Sequence, residues 1–484
     1  MLERMARWVG RRVRAVGVGR SVKLAGVAVA LVVMFIPLFF WPAGEDAEAS
    51  SGDTSVVITV PPVAVVTSVL GEVNTTTTSL DTSGDPDIAV EEPVDITIAA
   101  IGDVSMYDSI LSSTWDPDTG AYDFGSVFAP VAEHLSAADY TVCSLDTRLT
   151  GPNGQYGGYP RPSAPYSLAT SLAAAGVDLV ATATKHSADY GWEGLVGTLD
   201  RLRRADLAHV GTYRSPEDKE TPLIVEIQGI KIAFIAYTET VNDPEGLSED
   251  EAYALNTLDV DRAAEEAVTA RLLGADLVIA ILNYGEEYRR TPTDSQRTVS
   301  EGSARAEGLL SRGVDVVLGA GSHSVQPIVK VLQYSSGRRN DTFVAYSLGN
   351  FLSAERWRRA DSGVIAYVHI RKQGLRTSVT GISYLPIYMQ KSTGPSVEYR
   401  LLPVLPGLAP NTDIPPTLAE EVRMSQVWEE LSYLLYRPDE GIVPLDPALL
   451  GLDGRATDDD QATDGGQTAD DSQTTETTQA ADND

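Results

Sequence analysis

Several short apolar runs of this sequence are each followed by a residue that could take part in acid–base or metal chemistry. Asp103 follows AAIG, Asp146 follows YTVCSL, and His186 follows the apolar run at 177–183. Asn283 and His323 follow two later runs. In α/β folds, groups that do chemistry tend to lie in the loops past the carboxyl ends of strands. Carboxylates, amides and imidazoles gathered there suit divalent cations, so the sequence predicts a metal or polar-ligand site.

These residues also have simpler structural explanations. Asp103 and Asp146 could be carboxylates that cap a turn or a helix, and His186 or His323 could merely pack. The position of His186 directly after Lys185 favours a functional role. Three further histidines fall inside predicted elements and are interpreted as structural: His134, His209 and His369.

The elements that would position these residues alternate between short apolar runs and amphipathic stretches. Strands are predicted at 95–102, 140–145, 177–183, 207–212, 275–282 and 314–320. Helices are predicted at 127–138, 167–175, 192–204, 261–273 and 296–311. This order is typical of an α/β fold.

Two other patterns indicate antiparallel strands as well. The runs TPLIVEIQ and KIAFIAYT form a predicted hairpin around Gly229-Ile230, and the chain is strand-rich from Gln326 onward. No period of 20 to 50 residues is evident, which argues against a solenoid or a propeller. We therefore expect one mixed α/β domain at 95–450, built as a two-sheet sandwich flanked by helices.

The N-terminal region predicts a membrane anchor. Residues 24–43 carry no charge and are long enough, as a helix, to cross a bilayer. The leader at 1–23 is basic, whereas acidic residues follow the apolar run, which predicts a cytoplasmic N-terminus and an extracellular C-terminal domain. A secretory signal cleaved near Ala47-Glu48-Ala49 is the main alternative, and a buried core helix is a third.

The remaining segments lack the composition of a packed core. Residues 44–94 predict a disordered Ser/Thr-rich stalk, and residues 451–484 an acidic disordered tail. The formal charge of −31 argues against nucleic-acid binding, because Lys and Arg cluster only in the leader. The lone Cys143 can form no internal disulfide and is interpreted as a buried side chain.

Several polar motifs follow one another along the chain: AAIGDVSM, SLDTRLT, YPRPSAP, ATKHSADYG, NYGEEY, GAGSHSVQP and YSLGNF. In these motifs the chain resembles the CapA family of poly-γ-glutamate capsule synthesis proteins, which is related to the calcineurin-like metallophosphoesterases, and YSLGNF is intact. The similarity spans about 96–386 and implies a metallophosphatase-like fold.

The departures from the family pattern fall where a metal-binding member would place its ligands. Lys185 replaces an asparagine, whereas Asn283 and Ala320 replace histidines. The ligand set implied by the resemblance is therefore reduced to four residues: Asp103, Asp146, Asn283 and His323. These could hold one divalent ion, manganese, zinc or magnesium, while the Lys185 ammonium would repel a second.

The resemblance implies a membrane-anchored protein that acts in synthesis, export or retention of an anionic capsular polymer such as poly-γ-glutamate. Its expected partners are the cytoplasmic membrane, the polymer and polymer-synthesis membrane proteins. Because an acidic domain repels a polyanion, polymer binding requires a local polar or basic cleft, for which Arg148, Arg161 and Asn350 are the candidates beside Lys185.

Two other functions stay open from the sequence. The first is a metal-dependent hydrolase of phosphoesters or amides, in which His186 acts as general acid and Lys185 assists catalysis. The second is a catalytically degenerate envelope scaffold, which fits the lost ligands. No Gly-rich phosphate loop or CxxC pair indicates another enzyme class.

Overall fold

The strand at the centre of the larger sheet, Val94–Val104, is buried along nearly its whole length, because the sheet is covered on both faces. The computed structural model describes residues 92–150, 155–304, 306–335, 338–357, 359–394, 396–407 and 409–446. The predicted leader, membrane helix and tail, and nearly all of the predicted stalk, lie outside these residues. Inside these ranges, no helix has the length and apolar character needed to cross a membrane.

The strands and helices are numbered in chain order. The strands are β1 (Val94–Val104), β2 (Trp115–Asp116), β3 (Ala121–Tyr122), β4 (Tyr140–Leu145), β5 (Leu179–Ala181), β6 (Ala208–Val210), β7 (Leu223–Ile227), β8 (Ile230–Thr238), β9 (Leu277–Asn283), β10 (Gly302–Ser303), β11 (Ala306–Glu307), β12 (Val316–Ala320), β13 (Ile328–Ser335), β14 (Arg338–Ala345), β15 (Asn350–Leu352), β16 (Ser362–Gln373), β17 (Arg376–Lys391), β18 (Tyr399–Pro403) and β19 (Ile442–Pro444). The helices are α1 (Asp108–Thr114), α2 (Gly125–Ser136), α3 (Tyr166–Ala174), α4 (Gly191–Arg204), α5 (Pro216–Lys219), α6 (Val260–Leu272), α7 (Asp294–Ser300) and α8 (Leu418–Leu435).

Two mixed sheets contain most of the strands. The larger has the order β18-β17-β16-β1-β4-β5-β6, in which β1, β4, β5 and β6 are parallel and β16 to β18 are antiparallel. Strand β15 extends the pairing of β1 in parallel, and β19 pairs with β17. The smaller sheet has the order β13-β14-β12-β9-β8-β7, with a parallel centre and antiparallel edges.

Three apolar clusters define the layers. The inner faces of the two sheets share one cluster, in which Ile98 of β1 belongs with Phe234 and Ile279 of the smaller sheet. Helices α2 and α3 cover the outer face of the larger sheet, and α6 covers that of the smaller sheet. Each large apolar side chain buried in this way contributes about 1.5–3 kcal/mol. The two-sheet α/β sandwich flanked by helices, predicted from the sequence, is confirmed.

One predicted helix is wrong over half its length. The helix expected at 296–311 ends at Ser300, and a short strand and a 3-10 turn at Leu309–Arg312 follow. Gly302 adopts a φ of +94°, which is outside the helical region. A Cβ at Gly308 would lie 2.3 Å from the Gly302 nitrogen, so the two glycines allow a tight backbone approach that a helix excludes.

The helix α8 is missing from the sequence prediction, which describes the chain as strand-rich from Gln326 onward. Its start is signalled by a capping box: Thr417 accepts a hydrogen bond from the Glu420 amide, and the Glu420 side chain accepts one from the Thr417 amide. Val427 and Leu431 are buried against the core between the sheets. The Thr417 and Glu420 pair is therefore a sequence signal for the start of a helix, although the apolar runs before it are typical of strands.

Helix α6 carries a half-buried carboxylate on the face that packs against the smaller sheet. Glu266 accepts a hydrogen bond of 2.6 Å from the hydroxyl of Tyr237 on β8. Burial raises the pKa of Glu266 to about 6, although the Tyr237 hydrogen bond and the charge of Lys219 oppose the rise. The folded protein therefore binds more protons than the unfolded chain between about pH 4.5 and 6.

We predict that Glu266→Gln stabilises the protein at high pH. The stability that Glu266 contributes is present at low pH and is lost as the pH rises through the folded pKa, so removal of its charge should raise the unfolding free energy at pH 8 by up to about 2 kcal/mol. Below about pH 4 the variant and the wild type should agree. Urea unfolding at both pH values measures this, with the exposed neighbour Glu265→Gln as control. A variant that is no more stable at pH 8 would contradict the assignment.

Candidate functional site

The parallel strands of both sheets end in polar residues. Asp103 lies near the end of β1, opposite Ser144 of β4 and Asn350 of β15. In the smaller sheet Asn283 ends β9, opposite Ala320 of β12. The carboxyl ends of these strands are where an α/β sheet usually gathers functional groups.

Two hydrogen bonds join the polar ends of the two sheets. The amide of Gly321, which directly follows β12, donates to Oδ2 of Asp103 at 2.8 Å. The amide of Lys185, in the loop after β5, donates to Oδ1 of Asn283 at 3.2 Å. Residues that are 98 and 218 positions apart in sequence therefore meet at a single edge.

Asp103 is fully buried and has partners on both carboxylate oxygens. Besides the Gly321 amide, it accepts a hydrogen bond of 3.3 Å from the Ser144 hydroxyl. Nδ1 of His323 lies 3.4 Å from its Oδ2. The same ring nitrogen lies 3.0 Å from Oδ1 of Asn350, whose Nδ2 donates to the Ala360 carbonyl. Asn350, predicted to meet the polymer, instead helps to hold His323.

His323 is held in an unusual conformation and a charged environment. Its φ is +56°, in the left-handed region that non-glycine residues rarely adopt. Burial by itself lowers the pKa of His323, but the hydrogen bond to Asp103 and the charges of Asp103, Asp146 and Glu355 outweigh it and raise the pKa to about 10. The imidazole is therefore protonated at neutral pH in this arrangement and forms an ion pair with Asp103.

Two carboxylates whose charges act on His323 keep unused acceptor atoms. Asp146 is only 3% exposed; its Oδ2 lies 3.5 Å from the Ser105 hydroxyl, and its Oδ1 meets no donor among the described residues. Oε1 of Glu355 accepts a hydrogen bond of 2.5 Å from the Tyr288 hydroxyl, while Oε2 has no partner in the described part. Burial raises the pKa of Tyr107; a hydrogen bond to Ser353 opposes the rise, and the charges of Glu355 and Asp146 add to it. The amide of Glu355 donates to the Ser353 hydroxyl at 3.1 Å.

Lys185 lies at the rim of the same site. Its Nζ is 2.5 Å from Oε1 of Glu287, and its side chain is 34% exposed. Burial lowers the pKa of Lys185, but the hydrogen bond to Glu287 and the charges of Glu287 and Asp146 raise it overall. Nδ2 of Asn283 finds no acceptor among the residues described here. Lys185 and Asn283 are therefore brought together, as the sequence predicts.

His186 belongs to a separate hydrogen-bonded chain next to Lys185. Its Nδ1 lies 2.6 Å from Oδ2 of Asp189, and Oδ1 of Asp189 accepts a hydrogen bond of 2.8 Å from Nδ2 of Asn242. Both His186 and Asp189 are buried. A carboxylate that fixes one ring nitrogen leaves the other to exchange a proton with a ligand, so the arrangement suits a general acid or base.

Arg148 lies beneath the site rather than in it. It has no exposed surface, and its Nη2 donates to the Leu145 carbonyl at 3.0 Å and to the Thr184 hydroxyl at 3.4 Å. Burial lowers the pKa of Arg148 to about 10, against the charges of Asp146 and Asp189. We expected Arg148 to contact the polymer, but a ligand at the surface does not reach its buried guanidinium.

Arg161 is on the surface, at the edge of the site. Its guanidinium forms an ion pair with Asp243 and lies 5.6 Å from the centre of the Tyr190 ring. The Tyr190 hydroxyl donates to the Arg161 carbonyl at 2.7 Å. About half of the Arg161 side chain is exposed, so this residue is accessible to a ligand.

The donor atoms do not converge as a metal centre requires. In the described ranges, no three His, Cys, Asp or Glu side chains are placed so that they could share one metal ion. Both carboxylate oxygens of Asp103 already have partners, namely Gly321, Ser144 and His323. Asp146 alone offers an unused buried carboxylate oxygen among the four predicted ligands. These residues do not fit a resident ion in this arrangement, and the divalent metal stays a prediction of the sequence.

Four residues of the site escaped the sequence prediction: Tyr107, Tyr288, Ser353 and Glu355. Tyr288 ends the NYGEEY motif, whose first residue, Asn283, is the predicted ligand. Ser353 and Glu355 lie just after the YSLGNF motif, so their position next to this motif could have indicated that they belong to the site. Tyr107 follows the first strand by only three residues.

Comparisons with known proteins agree on one family. The family described as bacterial capsule synthesis protein PGA_cap matches residues 97–355. The capsule biosynthesis protein CapA of Bacillus anthracis is 26% identical over 208 residues, which cover 41% of this chain and 46% of that protein. The PGA biosynthesis protein CapA of Bacillus subtilis (strain 168) is 28% identical over 207 residues, covering 42% and 49%. The match therefore spans about half the length of these relatives.

Among solved structures, the calcineurin-like phosphoesterase YfkN from Bacillus subtilis is similar with a TM-score of 0.38. The sequence identity is 13%, and the match covers 71% of this chain and 99% of that one.

We predict that Gly102→Ala destabilises the edge that carries Asp103. A Cβ at Gly102 would lie 1.9 Å from the Gly349 carbonyl oxygen, and backbone must shift to relieve that contact. The expected loss of unfolding free energy is about 1–3 kcal/mol, measured by urea unfolding. At Gly394 a Cβ would meet its nearest neighbour at 3.6 Å, so Gly394→Ala is the control and should change stability by less than about 0.5 kcal/mol. Equal stability of the two variants would contradict the close approach of β1 and the residues preceding β15.

Proposed function

Because this chain belongs to the bacterial capsule synthesis protein family PGA_cap, we propose that it acts in the synthesis, export or retention of an anionic capsular polymer such as poly-γ-glutamate. The relatives in Bacillus anthracis and Bacillus subtilis are described as capsule and PGA biosynthesis proteins. The polymer and polymer-synthesis membrane proteins are the proposed partners.

We further propose that the domain works outside the cytoplasmic membrane, held by a single N-terminal helix. Support comes from the uncharged segment at 24–43, which the basic leader precedes and acidic residues follow. An extracellular polymer would then be accessible to the domain without crossing the membrane.

Lys185 is the observation that best supports polymer binding at the described edge. It is a partly exposed cation between the two sheets, and Arg161 is a second exposed cation of the same edge. Each of them already has a carboxylate partner, Glu287 or Asp243, so a polymer carboxylate binds by exchange with that partner. Charge-assisted hydrogen bonds of this kind are stronger than neutral ones.

A metal-independent hydrolase is the second candidate, and the His186–Asp189–Asn242 chain favours it. The buried carboxylate holds the imidazole in one orientation, which is the arrangement of a general acid or base. Shortening of poly-γ-glutamate by the purified protein, abolished in His186→Asn, would support this function over binding alone.

We predict that Lys185→Ala weakens binding of poly-γ-glutamate by about tenfold, which corresponds to about 1.4 kcal/mol. Lys231→Ala is the matched control, because Lys231 is also partly exposed, at 48%, and lies 4.0 Å from a glutamate, Glu226. The control should change the affinity less than twofold, and the effect at Lys185 should shrink as salt is added. Calorimetric titration of the full chain with the polymer measures both variants. Equal affinities for the wild type and Lys185→Ala would refute the assignment.

A further inference from the structure

We propose that Asn242 is a positioning residue, which fixes the imidazole of His186 through Asp189 and links that imidazole to Arg161. The link to Arg161 rests on the proposed function, in which a polymer carboxylate takes this guanidinium from Asp243. The orientation of His186 then depends on whether a ligand occupies the edge of the site.

A single nitrogen atom of Asn242 contacts two parts of the site. Its Nδ2 donates a hydrogen bond of 2.8 Å to Oδ1 of Asp189 and one of 3.3 Å to the carbonyl of Pro160. Nδ2 carries two N–H donors, so both of them are used. A carboxylate and a backbone carbonyl only accept, and this position must therefore hold the nitrogen of the amide rather than its oxygen.

The bond to Asp189 fixes the carboxylate that holds His186. Asp189 has no exposed surface, and its Oδ2 lies 2.6 Å from Nδ1 of His186 while its Oδ1 accepts from Asn242. The terminal torsion of an aspartate is broad, so a carboxylate bonded at one oxygen can rotate, whereas one bonded at both oxygens is held in a single plane. Because the carboxylate accepts, the proton of the shared bond lies on Nδ1, and Nε2 is the ring nitrogen presented to a ligand.

The backbone around Asn242 is also fixed against the loop that carries His186. The Asn242 amide donates at 2.7 Å to the carbonyl of Lys185, the residue directly before His186. A Cβ at Gly246 would collide with the carbonyl oxygen of Ala188, so the two backbones are in close contact there as well. The segments 242–246 and 185–188 are therefore held together at two points, and a displacement of one affects the other.

Arg161 is joined to the same segment through its side chain. Its guanidinium forms an ion pair with Asp243, the residue directly after Asn242. The Tyr190 hydroxyl donates at 2.7 Å to the backbone carbonyl of Arg161, and this bond does not involve the guanidinium. A ligand that takes the guanidinium therefore releases Asp243 specifically. Because Asp243 adjoins Asn242, its release loosens the two hydrogen bonds of Nδ2.

This connection gives the ligand a defined effect on His186. About half of the Arg161 side chain is exposed, so a polymer carboxylate reaches the guanidinium from solvent. In the free protein the imidazole is held in one orientation by Asp189 and Asn242. Occupation of Arg161 weakens that hold, so the imidazole can adjust to the chain that is bound.

Exchange of the Nδ1 proton of His186 with water, measured by NMR on the full chain with isotope-labelled histidine, tests the role of Asn242. The chain has five histidines, so the loss of one signal in His186→Asn identifies it. Asn242→Ala should speed the exchange about tenfold, because Asp189 can then rotate. Asn242→Asp keeps the size of the side chain but has no N–H donor, so it should have the same effect.

Gln228→Ala is the matched control. Gln228 is an exposed amide like Asn242, and its Nε2 donates at 2.6 Å to an aspartate, Asp139. No described contact joins Gln228 to His186, so this variant should change the exchange rate less than about twofold.

A double-mutant cycle tests the link to Arg161 without any ligand. Arg161→Ala removes the guanidinium that a ligand would otherwise take, so it should speed the same exchange about threefold. In the Asn242→Ala background the same change should have an effect below about 1.5-fold, because the connection is already lost. In the wild type, saturating tetra-γ-glutamate should reproduce the effect of Arg161→Ala.

The outcomes separate the role of Asn242 from the proposed function. Exchange as slow in Asn242→Asp as in the wild type would overturn the positioning role, because the shape of the side chain alone would then suffice. Equal effects of Arg161→Ala in the two backgrounds, or bound tetramer that leaves the exchange unchanged, would overturn the link to Arg161. If calorimetry detects no binding of the tetramer, the proposed function fails, whereas the exchange rates without ligand still decide the role of Asn242. Melting temperatures show that the variants are folded, and Asn242→Asp decides the test if Asn242→Ala is not.

Discussion

The buried carboxylate of Asp103 is the constraint on which the arrangement of the site depends. A charged group without solvent is tolerated only when hydrogen bonds and an opposite charge replace its water. Here the donors come from both sheets: Ser144 belongs to the larger sheet, whereas Gly321 and His323 follow a strand of the smaller one. The site therefore requires both sheets in register, and separation of the sheets would leave this carboxylate uncompensated.

The same constraint explains how charge is distributed around the edge. His323 pairs with Asp103 and therefore does not neutralise Asp146 or Glu355, although the charges of both carboxylates act on its imidazole. Asp146 and Glu355 each keep one carboxylate oxygen without a donor among the described residues. The cations Lys185 and Arg161 are paired with Glu287 and Asp243. The edge thus combines buried carboxylates in its interior with partly exposed cations, each paired with a carboxylate, at its border.

The sequence predicts the strands and their polar ends well, because an apolar run followed by a polar residue is a local signal. Asp103, Lys185, Asn283 and His323 meet for that reason. The sequence predicts less well which residues from distant segments contact these polar ends. The burial of Arg148 depends on covering by distant segments, and the role of Glu355 depends on a pairing with Tyr288 that lies 67 residues away. The predicted helix at 296–311 ends early for a different reason. Gly302 and Gly308 permit a close backbone approach, which the spacing of apolar residues does not indicate.

Under the proposed function, the ion pairs across the edge would affect how a polymer is held. Lys185 and Glu287 come from loops of different sheets, and so do Arg161 and Asp243. A polymer carboxylate that takes either cation must displace an existing partner, so each single contact contributes little. A chain with many carboxylates overcomes this by multivalency, because once one unit is bound the next is present at high effective concentration. Under the proposed function, such a surface would retain a long polymer while individual units exchange.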